Sequence, residues 1–169
     1  MKSFISSLLL LVVFTSDSFA QYESDVESVD SIIKALYEVI SGDAGVERDW
    51  DRFRNLFIEE GKLTPTFQNQ EGRVGYVQWG IEEYIERVDQ SFLENGFHED
   101  EIGRRVETYR YVTHVFSTYQ SKRTIDGEII ARGINSIQLF NDGERWRVVS
   151  VFWSSENDEF PIPEEYLDN

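Results

Sequence analysis

The second half of the chain dictates what the first half must do. After Gly96 come four long alternating or β-rich runs, Phe97 to Thr108, Val112 to Lys122, Glu128 to Phe140 and Arg145 to Ser154, with Asp126-Gly127 and Asn141-Asp142-Gly143 in the breaks. Such breaks are turn chemistry, and strands joined by short turns pair antiparallel, so the runs predict a four-strand meander. A sheet of that size must bury at least one face, and its cover has to come from the residues before Gly96.

Those residues carry the helical period. Apolar positions fall at Val26, Val29, Ile33, Leu36 or Tyr37, and Ile40, one helix face that Gly42 stops. A second stripe is built largely of rings, Val46, Trp50, Phe53 and Phe57, before Gly61. A third runs through Ile81, Tyr84, Ile85, Val88 and Phe92 and ends at Asn95-Gly96. Between them, Lys62 to Phe67 is interrupted by Pro65 and reads as an edge strand or an extended connection, and Gln68 to Gly75 as a polar loop. The expected class is α+β, with three N-terminal helices covering an antiparallel sheet in one domain over residues 21–157.

Along the last run, Trp146, Val148 and Phe152 fall on one side, and Val149, Val151 and Trp153 on the other with Arg147 at its end. A sheet covered by helices on one face is normally polar on the other, so a second apolar face predicts a homodimer through the sheet. The facing of the preceding run depends on the turn at Asn141. A two- or four-residue loop pairs Gln138 with Arg147 and turns Arg132, Ile134 and Ser136 toward the Trp153 side; a three-residue loop brings Asn135 there instead. Both registers stay open from sequence.

Lys2, an uncharged apolar stretch through Phe14, and Ser18-Phe19-Ala20 follow the order of a secretory signal over residues 1–20. The stretch is shorter than the roughly 20 residues that span a bilayer. It therefore predicts cleavage after Ala20 and export, to the periplasm or outside the cell, with no membrane anchor. The chain has no Cys, so the domain must stand on the packing of its aliphatics and its four Trp, eight Tyr and twelve Phe. With two His and no Cys, no metal site or cofactor is expected. Acidic residues outnumber basic ones 32 to 16, which disfavours nucleic acid and anionic lipid as partners; the doublets Arg104-Arg105 and Lys122-Arg123 read as solvated strand edges. The acidic segment over 158–169, with Pro161 and Pro163, predicts an irregular, solvent-facing tail that Phe160 and Tyr166 can pin to the surface.

The order of these elements resembles the nuclear transport factor 2-like superfamily, which includes SnoaL-like polyketide cyclases and ketosteroid isomerases. The residues that carry the resemblance are Ile40-Ser41-Gly42-Asp43, Glu82-Glu83-Tyr84-Ile85, His114-Val115-Phe116-Ser117-Thr118-Tyr119, Arg132-Gly133-Ile134-Asn135-Ser136, and Trp146-Arg147-Val148-Val149 through Phe152-Trp153. It spans Tyr22 to Asn157. It implies a cone-like curved sheet wrapped around the helices, with a pocket between the inner sheet face and the helix ends. Many members bind small apolar molecules there and some move protons, so the resemblance implies a pocket and leaves the reaction open.

Within that frame Trp79, Tyr84, Val149, Val151 and Trp153 are candidate pocket walls, and Arg132, Asn135 and Ser136 supply polar positions. An isomerase of this type would need a carboxylate on the penultimate strand, yet no acid lies between Ala131 and Phe140. Tyr37 also sits nearer the Gly42 stop than the resemblance would place its phenol. His114, with Glu107 as a neighbouring carboxylate, is the candidate acid–base pair; the plainer reading is a strand histidine bonded to backbone or to Asn135. No Gly-rich phosphate loop, Ser nucleophile elbow or paired-His signature is present. The expected function is that of an exported, small-molecule-binding domain of SnoaL-like type. The alternatives are an acid–base enzyme acting on a small apolar substrate and a dimeric interaction module with a closed pocket.

Overall fold

The computed structural model describes residues 20–167, so the segment read as a signal lies outside the described residues except for Ala20. Helices α1 (Val29–Ile40) and α2 (Trp50–Leu56) are followed by strands β1 (Phe57–Gln68) and β2 (Val74–Tyr76) and by helix α3 (Ile81–Asn95). Then come β3 (His98–Tyr109), β4 (Val112–Lys122), β5 (Ile129–Asn141) and β6 (Trp146–Ser155). The strands form one curved sheet in the order β2-β1-β6-β5-β4-β3, of which β3 to β6 is the expected meander.

β1 departs from the sequence expectation. It is no edge: it pairs antiparallel with β2 on one side and parallel with β6 on the other, Leu63 opposite Val151 and Pro65 opposite Trp153, which makes the sheet mixed. Pro65 is tolerated because its carbonyl accepts from the Val77 N–H at 3.2 Å. Its missing N–H therefore points to the sparsely paired β2 side and not into the β6 ladder. The aromatic stripe of Trp50, Phe53 and Phe57 also crosses an element boundary, since α2 ends at Leu56 and Phe57 opens β1, while Val46 lies outside the helix and is exposed. Asp49 caps α2 by accepting from the Arg52 N–H at 2.9 Å. Arg48 ties the α1–α2 connection from within, donating to the carbonyls of Ile40 (2.9 Å) and Gly42 (2.6 Å).

The register between β5 and β6 is set by a bulge. Asn141 faces Trp146 across the four residues 142–145, and Phe140 faces Arg147. Continued straight, that register would bring Ser136 to the Trp153 side. Instead Val149 is left without a partner, with Leu139 opposite Val148 and Gln138 opposite Ser150, so that Asn135 faces Trp153. The bulge also puts Trp146, Val148, Val151 and Trp153 on the helix-covered face. The two-sided apolar look of the last strand is therefore one inner stripe stepping across a bulge, and its outer side is Arg147, Ser150 and Phe152. A second bulge leaves Ile102 of β3 unpaired between Glu101, opposite Tyr119, and Gly103, opposite Thr118.

On the outer face the tail does more than point to solvent. Thr118 is 0% exposed because its hydroxyl donates to the Tyr166 carbonyl at 2.6 Å and the tail lies over it. The Tyr166 ring meets Phe116 edge-on with centroids 5.1 Å apart, and Arg105 donates to the Glu165 carbonyl. Gly103 is what lets the tail lie so close, since a Cβ there would stand 2.1 Å from the Tyr166 carbonyl oxygen. Beyond the tail, Tyr109, Val112 and Phe140 form an uncovered cross-strand row.

Candidate functional site

Between the inner sheet face and the helices lies a cavity of about 280 Å³. Helix periodicity supplies Leu36, Tyr37 and Ile40 from α1 and Tyr84, Val88 and Phe92 from α3, with Phe53 from α2. Trp79 is held over the hollow by a pair of backbone bonds to Leu63, 2.9 and 3.0 Å long, and its ring stands 6.3 Å from that of Trp153. The sheet contributes Glu99, Tyr119, Asn135, Val151 and Trp153. Gly133 lies beneath the Tyr119 ring, where a Cβ would come within 2.6 Å of the phenol oxygen. That oxygen instead meets Ser155 Oγ at 3.1 Å, and burial pushes the phenol up to about 12.

Eight of the fifteen described lining residues are aromatic, and beyond the tyrosine hydroxyls and tryptophan N–H groups only Glu99 and Asn135 bring polar side chains, so that pair dominates the chemistry. Asn135 Nδ2 donates to Tyr37 Oη at 3.1 Å, and Tyr37 Oη meets Ser117 Oγ at 2.7 Å. Ser117 in turn donates to the carboxylate of Glu101, which Arg104 holds through Nη2 at 2.5 Å. The second bulge makes this last pair possible by leaving Glu101 and Arg104 on the same face of β3. Ser117 has one hydrogen and gives it to Glu101, so Tyr37 must donate to Ser117 and accept from Asn135. Every hydrogen in this chain thus runs outward, away from the cavity.

Glu99 faces inward from edge strand β3, which leaves the residue as a whole half-buried while its carboxyl is enclosed. Ser121 Oγ donates to Glu99 Oε2 at 2.9 Å, and Asn135 gives it a second hydrogen bond. Burial outweighs both donors and raises the carboxyl to about 7. Burial, with the nearby Glu99 charge second, also raises the Tyr37 and Tyr84 phenols, so both stay protonated at any ordinary pH. Tyr84, stacked on Phe53 at 5.4 Å, is 8% exposed, and its hydroxyl has no hydrogen-bond partner among the described residues.

Of the residues singled out by sequence, Trp79, Tyr84, Asn135, Val151 and Trp153 line the cavity. The others do not. His114 and Glu107 are cross-strand neighbours on the outer face, where His114 Nδ1 accepts from Gln138 Nε2 at 2.5 Å beside Phe116 and Tyr166. Their strand positions alternate with those of the inner stripe, so neither can reach the cavity. Ser136 and Arg132 share the outer face because of the bulge, with Arg132 ion-paired to Glu156 at 3.2 Å, and Val149 is the bulged residue itself. Glu99 is not among the residues that sequence distinguishes, since His98-Glu99-Asp100-Glu101 is an acidic stretch at the start of a β-rich run. The usable signal was alternation: Phe97, Glu99 and Glu101 fall on one face, opposite the inner stripe of Tyr119 and Ser121.

This arrangement defines the class: the chain has the cystatin-like, nuclear transport factor 2-like fold. It is similar to a candidate ketosteroid isomerase from Parabacteroides distasonis (TM-score 0.53, 13% identity, 80% of this chain and 98% of that one). It is also similar to an NTF-2 like protein of unknown function from Silicibacter pomeroyi (0.52, 10%, 85% and 100%). A third likeness is to an uncharacterized protein with a cystatin-like fold from Caulobacter vibrioides (0.54, 15%, 78% and 89%). No family model matches the sequence, and no curated protein resembles it significantly.

Proposed function

We propose that this domain binds a small, largely apolar molecule in the inner cavity, as an exported protein. The observation that carries the reading is the composition of the wall: a hollow ringed by aromatic side chains that keeps one carboxyl and one amide facing inward. A side chain as costly to bury as a carboxyl is retained where something meets it, whether water or ligand. The test is native mass spectrometry of protein purified from its own source, with binding of the neutral dye Nile red to the stripped protein as the second arm. A co-purifying small molecule, or a dye signal that the released molecule displaces, is the expected result. No adduct and no dye binding would leave the interior a plain core.

A second reading, acid–base chemistry on an apolar substrate, is favoured by Glu99, whose carboxyl near 7 can both take and return a proton at neutral pH. Glu99, and not His114, is the group to replace in testing it: turnover that survives Glu99→Gln unchanged would remove this reading. For the outer face we propose a second copy of this chain as partner, seated on the row of Tyr109, Val112 and Phe140, which is 79%, 56% and 40% exposed. Concentration-dependent sedimentation that Tyr109→Ser weakens is expected, and a monomer at all concentrations would contradict it.

A further inference from the structure

We propose that the ligand of the inner cavity is a small organic cation, an amine on an apolar body, with its ammonium against Glu99 and its body among the rings. The inference rests on the binding reading above and narrows it to a chemical class.

Three observations lead there independently. First, Glu99 is the only charged residue among the fifteen described residues that line the cavity. Second, the polar chain offers acceptors. Asn135 spends its two amide hydrogens on Tyr37 and Glu99, Tyr37 gives its own to Ser117, and Ser117 gives its own to Glu101. A ligand oxyanion or carbonyl would have to break that chain to find a donor in it. Glu99 has about four lone-pair directions, and Ser121 and Asn135 use two, which leaves room for an ammonium N–H. The free Tyr84 hydroxyl can donate or accept, so it does not discriminate, and the selection rests on Glu99. Third, the wall carries eight aromatic rings, whose faces attract a cation within about 6 Å of the centroid. Two of them already hold a cation: the Arg87 guanidinium lies 5.0 Å from the Trp79 centroid and that of Arg48 5.9 Å from Phe92. The remaining six have no such contact among the described residues. The net charge of −16 raises the local concentration of any cation around the protein.

Protonation of Glu99 makes the binding depend on pH. The groups that face its carboxyl are Tyr37 from α1, Tyr84 from α3, Tyr119 and Ser121 from β4 and Asn135 from β5. The groove on its far side holds Lys34, Glu38, His98, Asp100, Glu101 and Arg104. Below about 7 the carboxyl takes up a proton, so an amine loses its counter-charge while a neutral ligand loses nothing.

The test is isothermal titration calorimetry of the full domain with 2-phenylethylamine and with 2-phenylethanol, which share a body and differ in the charged group. Near pH 8 the amine is expected to bind at least about tenfold more tightly than the alcohol. Glu99→Gln should remove that preference and leave the alcohol within a fewfold of its original affinity. If the variant does not fold, wild-type protein answers the same question, because lowering the pH from about 8 to about 5.5 should weaken the amine alone by about tenfold. An alcohol that binds as tightly as the amine would overturn the cation and leave the cavity reading standing. Binding of neither compound would overturn the cation too, and if Nile red were also not held, the cavity reading would fall with it.

Discussion

The two faces of the sheet are covered by different kinds of material. On the inner face Val115, Ile137, Leu139 and Val148 are all but fully buried under helices, yet those helices leave a hollow beside them. On the outer face the cover is the chain's own C-terminal tail, which seals Thr118 and leaves Tyr109, Val112 and Phe140 bare. Helices are stiff rods, and rods spanning a curved sheet touch it along lines, so large rings project into the gap without filling it. An extended segment bends with the surface and can lie on it as closely as Gly103 allows. The side packed by rigid elements therefore holds the more enclosed, aromatic-walled hollow, whereas the clefts beside the strap, of about 340 and 530 Å³, are larger but lie more open to solvent.

The largest effect is expected in the ring cluster of the inner face. Phe53 is 1% exposed and touches the rings of Trp50, Phe57 and Tyr84, so Phe53→Ala should cost roughly 3–5 kcal/mol by urea denaturation. The half-exposed Phe152 on the outer side should cost less than about 1 kcal/mol on the same change. Equal losses would mean that the two faces do not differ as described.

Next comes Glu99. Its carboxyl is raised from 4.5 to about 7 by burial, so the folded state holds its proton more tightly than the unfolded chain does. The associated stability is full below about pH 4.5 and is lost as pH rises through about 7, up to roughly 3 kcal/mol at about 1.4 kcal/mol for each pKa step. Glu99→Gln should lack that decline and be the more stable protein near pH 8, which chemical denaturation at several pH values will read. A variant that is less stable than wild type at pH 8 would assign the carboxylate a stabilising role it does not have here.

Smaller changes belong to the outer side. Tyr166→Ala removes the ring contact on Phe116 and should cost about 1 kcal/mol while making the tail cleavable by a protease at low enzyme ratio. An unchanged digestion pattern would show that the strap is held elsewhere. Asp142 accepts from Arg147 and from the N–H groups of Arg145 and Glu144, which lowers it from 3.8 to about 2. Its contribution is present above 3.8 and lost as pH falls toward 2; because the pair lies at the surface and is partly exposed, Asp142→Asn should change stability by less than about 1 kcal/mol at neutral pH.

The meander and two of the three helices were legible because periodicity and turn residues act locally. The α2–β1 junction was not, since Phe53 and Phe57 continue one apolar stripe while the backbone changes from helix to strand. The pairing of β1 with β6 is not legible because Pro65 disguises a strand that has neighbours on both sides. The site was half legible. Trp79, Tyr84 and Trp153 are large rings in amphipathic elements, and their burial follows from pattern alone. Asn135 and Ser136 could not be told apart because a one-residue bulge at Val149 reverses everything upstream of it, and no turn at Asn141 encodes that bulge. Glu99 was hidden by its acidic neighbours; what makes it unusual is its pairing with β4, a long-range fact.

The inner carboxyl is the point on which cavity chemistry, pH dependence and ligand class all converge. Its titration is observable by ¹³C NMR of the side-chain carboxyl carbon in selectively labelled protein, assigned through Glu99→Gln. A midpoint near 7 is expected, above those of Glu38 and Glu82, whose Lys34 and Arg54 partners hold them low. A Glu99 midpoint near 4.5 would place that carboxyl in water and contradict the enclosed site.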